Sequence, residues 1–489
     1  MRKLLYPAIA TALSLTLTAM SLSRAQNAPA TAARPATSTK PAMELLIPPR
    51  GGSGVPANND YNNPESDFSF KHSKSTDHFV LFWHKEYGDN PSANTGNRHF
   101  DVDEIAREVE RFYTYYVDTL KWVDKDKSLA TKYKFLIYII SNSNGGTAFG
   151  GSIDNKIGAF WSPASRVAKG PYGVVAHELG HSFQALVRAD GAASFSGPNI
   201  GEMTSQFMLW QVYPEWLTFE NYHLTAYMQA TNLAFLHTDN QYHTCHVFEY
   251  WAEKHGVEIM GQMWREVQRG EDAVMCYKRL TKQNQDQFAD EIFEAERHFV
   301  TWDMPRIEKV AARYADQHTT AINKAAGMEG WFQIANDKVP QEYGYNAIKL
   351  KVPAPNSKVT LDFKGIAGTG DFSKTNLDKA GWRYGFLAHK DDGTRVYSDI
   401  FKQSTGKSEF TVPAGTEFLW LVVTGAPTEH AIFTTGRGGR GGAGAGRGGR
   451  GAATTPATTA ASIPVASGPA QFPYQFKLTG TAPDDSIIK

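Results

Sequence analysis

Val174-Val175-Ala176-His177-Glu178-Leu179-Gly180-His181-Ser182-Phe183-Gln184-Ala185-Leu186 has the periodicity of a helix with two different faces. At about 100° per residue, Val175, Ala176, Leu179, Phe183 and Leu186 fall on one apolar arc, the stripe of a helix packed into a core. His177, Glu178, His181 and Gln184 share the other side. Residues four apart are neighbours on a helix, so both histidines can bind one Zn2+. Glu178, one step round, faces the water at the ion's open position; zinc acidifies that water and the glutamate takes its proton. Gly180 costs about 1 kcal/mol relative to Ala in mid-helix, which implies the close approach of another element.

Such a site needs a third protein ligand, and Gly201-Glu202-Met203-Thr204-Ser205-Gln206-Phe207 offers Glu202. Pro198 and Asn199 can start a new helix, with Met203, Phe207 and Trp210 as its apolar stripe and Glu202 in its first turn. The intervening loop is long enough to bring this helix beside the first. Asp190 and Glu215 are the alternative carboxylates.

The H-E-x-x-H helix followed about twenty residues later by a glutamate resembles the gluzincin branch of the zincin metallopeptidases. The longer run His177-Glu178-Leu179-Gly180-His181-Ser182-Phe183-Gln184 is similar to the H-E-x-G-H-x-x-Q signature of enhancin-like, mucin-directed peptidases, and to that of a set of secreted proteins of unassigned function. Over residues 75 to 320, the resemblance implies a zinc endopeptidase in which His177, His181 and Glu202 bind the metal and Glu178 is the base. One departure stands out. Many gluzincins carry E-x-x-S-D after the third ligand, where this chain has Glu202-Met203-Thr204-Ser205-Gln206, so Gln206 occupies the place of a histidine-orienting aspartate.

Arg2 and Lys3 precede an apolar segment, Leu4 to Leu22, and Ser23-Arg24-Ala25 supplies small residues for cleavage, so residues 1–25 read as a signal peptide and the chain as secreted, extracellular or periplasmic. No other run is apolar for about 18 residues, so no stable membrane anchor is expected. Cys245 and Cys276 could pair in an oxidising compartment, but spacing does not decide it. Net charge is zero, which gives no electrostatic argument for a nucleic-acid partner.

Residues 26–60, rich in Ala, Thr and Pro and then Gly and Asn, read as a disordered leader. A zincin-like domain is expected at 61–325. It begins with strands at 78–83 and 134–140 and a helix from Asp103 to Leu120, and places Ile157–Trp161 as an edge strand for extended substrate. Beyond Glu202 the pattern is helical, including 241–255 and 257–267. Tyr242 and His243, then Tyr222 and His223, are the candidates for polarising a tetrahedral oxyanion. From 335 to 489 short alternating runs predict an antiparallel β-sandwich, interrupted by Gly/Arg and Thr/Ala/Pro repeats at 436–470 and completed by a strand at Phe472–Leu478. Such sandwiches support a catalytic domain or contact carbohydrate.

The expected fold is therefore α+β. The expected function is that of a zinc-dependent peptidase acting on protein or glycoprotein. A non-catalytic glycan-binding or adhesion protein, or a zinc hydrolase of a non-peptide bond, is the alternative.

Overall fold

Three uninterrupted apolar runs form the middle of the first sheet. Strand β1 (Ser73–Ser75) leads into β2 (Phe79–Trp83), helix α1 (Val102–Thr114) follows, and then come β3 (Phe135–Ile140), β4 (Phe149–Ile153) and β5 (Ile157–Pro163). Their order is β1-β2-β3-β5-β4, with β2, β3 and β5 parallel and the two outer strands antiparallel to them. Strands covered on both faces need apolar residues at every position. Phe79, Leu81, Ile137, Ile139 and Phe160 point to the helical side, whereas Val80, Phe82, Leu136, Tyr138 and Trp161 point to the opposite one.

The computed structural model describes residues 42–489 except 145, 371, 373–376, 435–465 and 468. The expected signal peptide, the first part of the expected leader and most of the 436–470 repeat lie outside the described residues. Residues 43–60, read from composition as disordered, are instead an ordered strap over the second face of the sheet. Glu44 exchanges backbone hydrogen bonds with Lys132 and Lys134, Trp161 Nε1 donates to the Gly51 carbonyl at 2.9 Å, and Val55 and Tyr61 are buried with Phe68. Gly52 has φ +87°, and a Cβ there would lie 2.4 Å from the Trp161 indole. The glycines that made this stretch look disordered let it cross the ring.

Two further expectations are corrected in this layer. Ile157–Trp161 is not the edge: β5 lies between β3 and β4, and β4 is the edge strand. Gly150 and Gly151 hid β4, and Gly150 is needed because a Cβ there would sit 1.9 Å from the Glu178 carbonyl oxygen. The helix expected to reach Leu120 ends at Thr114 and passes into a π-turn, Tyr115–Thr119, that keeps Tyr116 and Val117 buried.

On the helical side lie α2 (Gly173–Ala189), α3 (Gly201–Val212), α4 (Trp216–Phe219), α5 (Asn221–Gln229), α6 (His246–His255), α7 (Ile259–Glu266), α8 (Ala273–Thr281), α9 (Gln285–Thr301) and α10 (Pro305–Ala311). The helix expected from Gln241 begins only at His246. The Thr244 hydroxyl donates to the Phe235 carbonyl and ties the preceding residues into a turn. Asp272 caps α8 through Met275 N–H, and Asn284 with Gln287 forms a capping box on α9.

The chain continues as β6 (Ile322–Lys324), β7 (Trp331–Ile334), β8 (Tyr345–Leu350), β9 (Lys358–Gly365), β10 (Trp382–Lys390), β11 (Arg395–Tyr397), β12 (Thr405–Thr411), β13 (Thr416–Gly425), β14 (Phe433–Thr434), β15 (Ala466–Ser467) and β16 (Tyr474–Thr479). Sheets β11-β10-β13-β8 and β12-β9-β16-β7-β6 face each other across a core that includes Ile348, Phe363, Phe386, Leu421 and Phe476. The fold is α+β, and β16 fills the middle of the second sheet between β9 and β7.

The boundary expected between 325 and 335 falls inside a hairpin, since Ile322 pairs with Ile334. Leu387, Trp420 and Val422 on the back of the first sandwich sheet join the helical core, and Arg383 pairs with Asp286 and Asp290 of α9. Met43–Lys489 is accordingly one compact unit, not two separate domains.

Candidate metal centre

Helix α2 is held between two backbones. Gly150 of β4 lies against the Glu178 carbonyl, and Gly180 faces α3, where a Cβ would come within 3.0 Å of Ser205 Oγ and 3.3 Å of Met208 Sδ. This is the close approach that a mid-helix glycine implies. It brings the first turn of α3 under the polar face of α2, so that Glu202 meets both histidines.

Glu202 Oε2 lies 3.1 Å from His177 Nε2 and 3.2 Å from His181 Nε2, and the two Nε2 atoms are 3.1 Å apart. Ligands at tetrahedral corners about 2.0–2.1 Å from zinc lie roughly 3.3–3.4 Å from one another. The donor spacing and the His2Glu set therefore fit a zinc ion with one position left open. These three residues are the one such His/Cys/Asp/Glu cluster among the described residues. The alternative third ligands lie elsewhere: Asp190 accepts from Ser128 Oγ and Leu129 N–H, and Glu215 is exposed before α4.

Each imidazole is oriented from behind. Gln206 Oε1 accepts from His177 Nδ1 at 2.9 Å, so the amide does the orienting that an aspartate would do, and it directs Nε2 at the cluster. Gln184 Oε1 accepts from His181 Nδ1 at 3.1 Å, and its Nε2 donates to Gly201 O, Thr204 Oγ1 and Ser205 Oγ. Gln184 sits three residues after His181 on the polar arc, so its position was legible even though its role was not.

Burial pushes the Glu202 carboxyl up, but hydrogen bonds from His177 and His181 outweigh it and hold the group well below the usual carboxylate range. At Glu178 burial acts in the same direction and prevails. That side chain is 9% exposed, and its pKa stands above the ordinary value because desolvation exceeds the pull of the two histidines and of the Gly150 N–H. The two carboxylates differ in the way a ligand and a base must.

A pocket of about 460 Å3 opens beside the cluster, lined by His177, Glu178, Tyr242, His223, Trp216 and Arg166 among others. The candidates for oxyanion polarisation divide differently from their order in the sequence. Tyr242 lines the pocket, with its ring 6.2 Å from that of His177 and its hydroxyl against Glu202. His223 and Tyr222 line it too. His243 does not. Its Nδ1 lies behind, 3.0 Å from His223 Nδ1, and burial together with His223 pulls its pKa down to about 4. On the other side of His223, Glu220 Oε2 lies 3.5 Å from Nε2 and accepts from Trp216 Nε1 at 2.9 Å. Cys245 and Cys276 are both buried free thiols.

A family model matches residues 39–485, and its description is a family of unknown function (DUF6055). No curated protein matches the chain. A solved structure described as a functionally unknown conserved protein mutant from Bacillus anthracis str. Ames is similar at 12% identity with a TM-score of 0.33, over 52% of this chain and 56% of that one. The chain thus spans little more than half of that structure, and the likeness bears on neither fold nor function.

Proposed function

The chain belongs to this family of unknown function, DUF6055, and from the chemistry of its site we propose that it is a secreted zinc-dependent metallopeptidase of gluzincin type. The observation that carries this reading is the convergence of His177, His181 and Glu202 to within 3.1–3.2 Å beside a buried glutamate with a raised pKa. Export rests on the leader sequence from Arg2 to Ala25. Among the described residues, no helix is long and apolar enough to cross a membrane.

His177, His181 and Glu202 would hold a zinc ion, which when bound would supply Lewis-acid polarisation of a water and of a peptide carbonyl. Glu178 accepts the water's proton and delivers it to the leaving amine, with its raised pKa suiting both halves of that transfer. The edge of β4 offers unpaired backbone groups to an extended peptide lying along the pocket. Tyr242, which lines the pocket, is the donor that would meet negative charge on the carbonyl oxygen, since both ring nitrogens of His223 are engaged by His243 and Glu220. Gln206 and Gln184 keep the imidazoles aimed.

A second reading, a glycan-binding protein, is favoured by one feature. The face of the second sandwich sheet carries a pocket of about 780 Å3 lined by Lys364 and by Gln333, Asn336 and Gln475, whose amides suit hydroxyl groups. Glu178→Gln separates the two. The substitution keeps the shape and the metal ligands while removing the base. A peptidase loses nearly all hydrolysis of a glycoprotein panel and retains zinc; wild-type protein that binds the panel without cutting it, matched by the variant, refutes the peptidase.

A further inference from the structure

Among the described residues that line the pocket beside the triad, Arg166 is the one lysine or arginine. It ends the short turn Ala164–Arg166 that follows β5, and its side chain is exposed. Its Nε donates to the Gly146 carbonyl at 2.7 Å, just ahead of edge strand β4, and it makes no ion pair with any described residue. That single bond anchors the guanidinium and leaves the two terminal nitrogens, the fork that matches a carboxylate.

The carboxylates of the pocket are engaged elsewhere. Glu202 is held by two imidazoles, Glu220 by Trp216 and His223, and Glu178 is buried beneath. Tyr222 shares the pocket, 57% exposed with its ring tilted against that of His223 at 4.0 Å; burial and the Glu220 carboxylate, to which its hydroxyl is bonded, push its pKa up, and the charge of Arg166 offsets them only in part. With the phenol engaged by Glu220, the guanidinium of Arg166 is the charged group presented to whatever lies there. A peptide extended along β4 turns every second side chain to the same face, so one of them reaches this guanidinium.

We propose that Arg166 selects peptides that carry a carboxylate side chain close to the bond to be cut. The inference rests on the peptidase reading and deepens it by giving the substrate class as acidic peptide.

The test uses the full-length, zinc-loaded protein carrying Glu178→Gln, so that ligand is bound and not consumed. The probes are fluorescein-labelled Ala/Gly decapeptides holding one Glu, Gln or Lys at each position in turn, read by fluorescence anisotropy. At one position Glu should be preferred over Gln by roughly tenfold, as one charge-assisted bidentate contact gives. Adding Arg166→Ala should bring that ratio close to one, and Arg166→Glu should turn the preference to Lys. No preference for Glu in the parent protein, no binding of any peptide, or a ratio unmoved by Arg166→Ala overturns the proposal. Cleavage assays of otherwise wild-type protein with the same peptides keep the two readings apart. Cutting without acidic preference removes the specificity and keeps the peptidase; acidic preference in binding without any cutting does the reverse.

Discussion

Raising the pH from 6 to 9.5 should cost this protein a stabilising contribution of about 3 kcal/mol from a single imidazole, His430. The ring is buried between two buried carboxylates: Nε2 donates to Asp272 Oδ2 at 2.7 Å and Nδ1 to Glu342 Oε1 at 2.8 Å. Tyr343 Oη lies 3.2 Å from Nδ1, and the Lys278 ammonium is near enough to sense both carboxylates. Burial pulls the His430 pKa down, but the two carboxylates outweigh it and push it up to about 9 from 6.5. A group whose folded pKa is raised stabilises fully below its unfolded value and loses that contribution as pH climbs through the folded one. The window is therefore about 6.5 to 9, and about 2.5 pKa units at 1.36 kcal/mol each give roughly 3 kcal/mol. Urea unfolding of wild type and His430→Gln across this range reads the difference directly, because other titrations are common to both. The gap in unfolding free energy should be widest at pH 6 and narrower by about 3 kcal/mol at pH 9.5. A gap that does not change with pH refutes a charged His430 in the folded state.

Glu202→Ala should lower zinc affinity by at least two orders of magnitude, measured by competition with a chelating dye, since it removes the charged ligand, while the sandwich remains folded by near-UV circular dichroism. Removing metal with EDTA should lower the Tm, and restoring zinc should raise it with free metal concentration as linkage requires. Replacing residues 435–465 with a flexible linker of about a dozen Gly and Ser residues should leave Tm within a few degrees, because such a linker can still make the crossover between β14 and β15, which pair in parallel. Ending the chain at Thr434 also removes β16 from the middle of its sheet and should lower Tm far more.

The parts of the site that were legible in the sequence are those set by local periodicity. The helical repeat alone aligns His177, Glu178 and His181, and Gly180 announces a close neighbour. Glu202 follows from an acidic residue in the first turn of the next helix. The unread parts depend on contacts between distant segments. Gly150 and Gly151 look like a loop until α2 lies against them. Residues 43–60 look unstructured because their apolar residues are few and irregularly spaced, and their partner is a sheet face formed later in the chain. Tyr242 and His243 are adjacent in a turn, and only the packing of His223 decides that one faces the pocket and the other lies behind it. Arg166 has no motif; its meaning comes from a pocket whose walls span residues 147 to 242. The expected break near residue 330 failed because the sandwich sheet is apolar on both faces and one of them belongs to α9.

The strap across the first sheet limits how far the front of this chain can be trimmed. A cut before Met43 leaves every strap contact in place. A cut beyond Tyr61 would strip Leu46, Ile47, Val55 and Tyr61 from the face formed by Val80, Phe82, Leu136, Tyr138, Ile140 and Trp161, leaving only Phe68 and Phe70 over part of it and an apolar wall on strands that are otherwise intact. Such a wall is sticky, not merely unstable. An N-terminal truncation must therefore stop short of the strap, and over-trimmed molecules would be lost by clumping before any weakness at the candidate metal centre could show.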